Sequence, residues 1–125
     1  MDLFKKKRAA IRFAVPVKEG QTVDLMFTIN IYKVAKKCGI IINEVPSTVY
    51  DTLTFYADIM YCAALNFWEL SEGKGNAPVT RLDFHSFYVD NPQEFKKAVQ
   101  LTIDAAQQMM ADVQGLAKTF EKWGK

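Results

Sequence analysis

The strongest constraint in this chain is a helix-start signal followed by a helix that does not stop. Asn91 stands as N-cap, Pro92 at the first helical position and Glu94 at the third. From there Phe95, Val99, Thr102, Ala106, Met109, Val113, Leu116 and Phe120 recur on one face. Lys97, Gln100, Asp104, Gln107, Lys118 and Lys122 fall on the other side. The spacing predicts one helix over residues 92–122, about 46 Å long at 1.5 Å per residue. A chain of 125 residues folded as one domain has a diameter of only about 36 Å. Three outcomes accommodate the difference: a break at Gly115, an end that projects into solvent, or an apolar tail (Leu116, Phe120, Trp123) covered by another chain.

The residues before this helix divide into short elements. Ile11, Phe13 and Val15 alternate with polar or small positions, and so do Val23, Leu25, Phe27 and Ile29. Lys18-Glu19-Gly20-Gln21 lies between them, so residues 10–29 read as a β-hairpin. Pro16 has no N–H for a ladder and belongs at an edge or a strand end. Asn30 is a candidate N-cap for a helix over residues 31–38, with Ile31, Val34, Ala35 and Cys38 on one face and Gly39 as the stop. Ile40-Ile41-Ile42 is an apolar connector or a brief strand. Ser47 or Thr48 caps a helix over residues 48–70 that is apolar around most of its circumference, which makes it central or partner-bound. The stretch from Ser71 to Pro78 is a Gly- and Pro-bearing loop, and Thr80 with Asp83 opens a helix over residues 81–89. The fold class is therefore α+β and predominantly helical: an N-terminal β-hairpin beside three to four helices, the last one long and amphipathic. Residues 10–125 form a single domain, and residues 1–9 are expected to be a flexible basic tail.

Few residues point to chemistry. Half of the residues are apolar and the net charge is +2, which excludes a disordered chain and gives no global attraction to nucleic acid. The Lys5–Arg8 cluster is a solvating terminus, and neither nucleic acid nor membrane is expected as a partner. The start of the chain is a poor signal peptide, which together with two isolated cysteines suggests a cytoplasmic protein. Cys38 and Cys62 fit buried reduced thiols. His85 is the only histidine, and Asp83 lies on another side of its helix. It reads as a surface or half-buried residue rather than a base. Asp51, Asp58, Cys62 and Glu69 gather in one stripe, whose carboxylates span too much helix for one ion and read as a solvated face. Gly73-Lys74-Gly75 lacks the spacing of a phosphate loop. No catalytic residue, metal ligand or cofactor is expected.

In order, the elements resemble a phage tail assembly chaperone, encoded in long-tailed phages and prophages between the major tail protein and the tape measure. The resemblance spans residues 10–120. It runs through the hairpin IRFAVPVKEGQTVDLMFTIN, the short Gly-terminated helix IYKVAKKCG and the apolar helix TVYDTLTFYADIMYCAALNFWEL. It continues through TRLDFHSFYVDNPQEF into the closing helix. Many members are more acidic than this chain. The resemblance implies a non-enzymatic protein of the host-cell cytoplasm that binds the tape measure protein, recruits tail tube subunits and self-associates. A frameshift near the gene's end appends a second domain in many members, and Gly124-Lys125 is compatible with a slippery codon pair. Such a role needs adaptable apolar surface. The candidates are Tyr61, Phe67, Trp68, Met109, Met110, Leu116, Phe120 and Trp123. The Met109-Met110 pair reads either as core packing or as a partner groove. Two other readings stand beside this one: a phage connector or tail-completion protein, and a small-ligand-binding domain with an aromatic pocket.

Overall fold

Alternating side chains and a glycine turn produce the first element. In the computed structural model, β1 (Ile11–Lys18) and β2 (Gln21–Phe27) form a two-stranded antiparallel sheet. The structure describes residues 11–18, 20–42, 46–71, 73, 75 and 77–123, with side chains to residue 111. The basic segment at residues 1–9 lies outside the described residues. Ile11 pairs with Phe27, Phe13 with Leu25 and Val15 with Val23. One face therefore collects the large apolar residues of the hairpin except Met26, which pairs with Arg12 on the other face. Phe13 and Phe27 stack with ring centroids 5.6 Å apart. The register slips between Val15 and Lys18, where Pro16 has no N–H to give, and Gly20 closes the turn at φ +73°. The strand stops at Phe27, two residues earlier than the alternation suggests. Ile29 falls in the following turn, 59% exposed, because Thr28 already accepts a hydrogen bond from the Ile31 N–H.

Helix α1 (Ile31–Lys37) is short and ends as expected. Gly39 takes φ +69°, the Gly39 N–H donates to Lys36 O and the Ile40 N–H to Ala35 O. This is the paired closure of a Schellman turn, with Ile40 buried beneath it. Its start differs from expectation. Asn30 makes no side-chain cap, because its amide is drawn to Asn66 at 2.9 Å. The Ile40–Ile42 connector forms no strand, and Ile41 is 76% exposed.

Helix α2 (Val49–Leu70) is capped by Thr48, whose hydroxyl accepts from the Asp51 N–H. It packs against β2 and all the other helices, which is why its apolar residues run nearly all round. Ala57, Ala63 and Ala64 let neighbours approach closely, and Met60 and Cys62 fill the space between. Buried Asn66 is fully used. It accepts from Asn30 and donates to Met26 O and Thr28 Oγ1, pinning α2 to the β2–α1 turn.

Helix α3 (Arg81–Asp90) begins with a complete capping box between Thr80 and Asp83. Phe84 and Phe87 project fully into the core. Each stabilises the fold by roughly 1.5–3 kcal/mol from area alone. Phe87 meets Phe95 edge-on at 5.4 Å, tying α3 to helix α4 (Pro92–Trp123). That last helix is unbroken through Gly115, so the first of the three outcomes for its length is removed. Among the described side chains, those it buries are Phe95, Ala98, Thr102, Ala105 and Met109, at alternating steps of three and four. The inward face is therefore turned slightly from the expected one, with Ala98 and Ala105 inside and Val99 and Ala106 at its margin. The molecule is α+β and mostly helical, with its core between the sheet and α2, α3 and α4.

Candidate functional site

Two regions stand apart from ordinary packing. The first lies on the seam between α2 and α3. Asp58 is only 8% exposed, which corrects its expected place on a solvated stripe. A carboxylate withdrawn from water needs partners, and α3 supplies two, one turn apart. Arg81 donates from Nε and Nη2 to the two carboxylate oxygens, each at 2.8 Å. His85 donates from Nε2 to Oδ1 at 2.6 Å. Burial alone would raise the Asp58 carboxyl, but these hydrogen bonds outweigh it and hold the group below the usual carboxylate range. The bond to Asp58 also raises Arg81. His85 thus has an acidic partner that sequence reasoning sought at Asp83. The missed signal was the four-residue spacing of Arg81 and His85, which presents both to one neighbouring helix.

An imidazole oriented by a carboxylate can serve as a base when a nucleophile meets its other nitrogen. Among the described residues no hydroxyl or thiol hydrogen-bonds to His85. The nearby thiols are held neutral. Burial pushes Cys62 up to about 12 and also raises Cys38. Neither cysteine is in a disulfide. Among the described residues no group of three or more His, Cys, Asp or Glu is placed to hold a metal ion. What the triplet does physically is fasten α2 to α3. Asp83, on another side of α3 from His85 as the sequence suggests, pairs with Lys18 at 3.2 Å and joins α3 to β1.

The second region is apolar and open. A groove of about 220 Å³ has Phe27, Ile31, Ile59 and Met109 among its walls. A shallower depression of about 390 Å³ lies beside Ile40–Ile42. Tyr32 and Ile42 line both. The Tyr32 hydroxyl donates to Met110 Sδ at 3.2 Å across this surface. Met110 is 44% exposed, and thioethers adapt readily to different partners.

The five expected partner-binding residues whose side chains are described do not share one surface. Met109 and Met110 line the apolar groove, with Met109 buried as part of its wall. Tyr61 leans on Phe84 with ring centroids 6.3 Å apart. Phe67 sits under the Arg12 guanidinium, 4.6 Å from the ring centroid. Trp68 is half-buried under its own loop, its indole N–H directed at Gly75 O. A Cβ on Gly73 would come within 2.4 Å of the Trp68 ring, so this glycine belongs to the packing of the indole. The side chains of Leu116, Phe120 and Trp123 lie outside those described. Tyr32, Ile41 and Ile42 were missed: the isoleucines read only as a connector or a brief strand, and Tyr32 falls off the apolar stripe of its helix.

No helix among the described residues is long and apolar enough to cross a membrane. Comparison with known proteins returns no matching family model, curated relative or solved structure.

Proposed function

We propose that this chain is a non-enzymatic phage or prophage tail assembly chaperone. It acts in the host-cell cytoplasm, binds the tape measure protein and recruits tail tube subunits. The resemblance in the order of the elements supplies the class. The observation that carries the reading is the open apolar surface around Tyr32, Ile42 and Met110, on a fold whose buried polar side chains are satisfied among the described residues. A helical client that must be kept from aggregating before a tube closes around it requires such a surface.

Co-expression with a tape measure protein of a long-tailed phage tests the reading. The chaperone should co-purify with that protein or its helical fragments and be missing from purified virions. Failure to capture either tape measure or tail tube protein would sink the proposal. Stable retention in finished virions would mark a structural tail component instead.

A further inference from the structure

We propose that the two depressions flanking Tyr32 and Ile42 form one docking site for an acidic amphipathic helix of the partner. This rests on the chaperone reading above and names the site and the chemistry of its client. The walls are mostly apolar side chains, and Ile41 among them is 76% exposed. A segment entering such a groove finds few backbone partners, so it must satisfy its own peptide groups, as a helix does. Two seats separated by a ridge suit the successive anchors of a helical apolar face.

Charge selects among such helices. Lys36 lines the shallower depression, and Lys33 precedes it by one turn on the exposed side of α1. Among the described residues neither has an acidic partner, whereas Lys37 is matched by Glu69 at 3.7 Å. A client with carboxylates bordering its apolar face would complete this edge and be steered to it. A second copy of this chain fits less well. The far half of its amphipathic helix carries Asp112 and Glu121 against Lys118 and Lys122, so its charges cancel.

The test uses the full chain and two labelled peptides of about 20 residues, each with leucines on one helical face. One is flanked by glutamates and the other by lysines. By fluorescence anisotropy the Glu-flanked peptide should bind at least about tenfold tighter. Ile41→Asp, at an exposed position, should abolish binding, and Lys33→Glu with Lys36→Glu should reverse the preference. Equal affinity for the two peptides, or binding indifferent to Ile41→Asp, would overturn the proposal. So would a concentration-dependent dimer dissolved by Ile41→Asp in a protein that binds neither peptide, which assigns the surface to a second copy. The two levels separate cleanly. Tape measure fragments captured equally by wild type and Ile41→Asp would remove this site and keep the chaperone reading. Capture of no fragment by a wild type that still prefers the Glu-flanked peptide would remove the chaperone reading and keep the site.

Discussion

The α2–α3 seam and the outer side of α1 and α4 complete their groups in opposite ways. On the seam, a buried carboxylate meets a guanidinium and an imidazole, and every strong donor points at an acceptor of the same chain. On the outer side, isoleucine, tyrosine and methionine stand around open grooves. The seam has the residue types usually associated with chemistry, and its geometry makes it a fastener. The outer surface is mostly apolar among the described residues, and its exposure makes it the better candidate for function. Titratable residues crowded together are informative only when something is left over for a substrate to meet.

This contrast can be broken at several points. The largest effect belongs to the interior. Phe87→Ala removes a fully buried ring that joins α3 to α4. It should cost about 3–5 kcal/mol by urea unfolding. A loss below about 1 kcal/mol would mean that this part of the core is loosely packed.

Asp58→Ala comes next, at about 1–3 kcal/mol, because it removes the acceptor shared by Arg81 and half-buried His85. The same contact has a pH signature. The folded carboxyl lies below its unfolded value of about 3.9. Its contribution is therefore complete above that value and is lost as the pH falls through the folded pKa. Asp83 is held low as well, by its hydrogen bonds with Thr80 and Lys18 against the opposing effect of burial. The comparison is thus made between wild type and Asp58→Asn. The wild type should lose more stability on acidification than the variant. Parallel acid profiles would show that the triplet does not hold α2 to α3.

Gly73→Ala should be milder, about 1–3 kcal/mol, with a shifted Trp68 emission as the indole yields to the new methyl group. The smallest effect on stability is expected on the outer surface. Ile41→Asp should change unfolding by no more than about 0.5 kcal/mol while removing client binding. A large loss of stability there would mean that Ile41 is structural and that the two regions are not so different.

Much of the framework was legible before any coordinates. Alternation placed the hairpin faces, Gly39 marked the end of α1, and Thr80, Asp83 and Pro92 set the starts of α3 and α4. These are local signals, and local geometry honoured them. Asn30 misled because a partner distant in sequence, Asn66, outcompeted the cap. Asp58 misled for the same reason. On a wheel it keeps company with exposed Asp51 and Glu69, and only the packing of α3 across α2 shows that it is buried. Most of the described phenylalanines, and the described tryptophan, are spent on packing. Phe27, Phe55, Phe84, Phe87 and Phe95 are core, and Phe67 and Trp68 are partly covered by their own chain. The open surface is instead mostly aliphatic, with Tyr32, the methionine pair, Phe27 in its wall and Lys36 at its edge.

The most direct test of the central claim is the yield of co-purified tape measure fragment, compared between wild type and Ile41→Asp at matched folding stability. The account predicts that the wild type retains the fragment and that Ile41→Asp releases it while unfolding at the same urea midpoint. Equal retention by both proteins, or retention by neither, would contradict it.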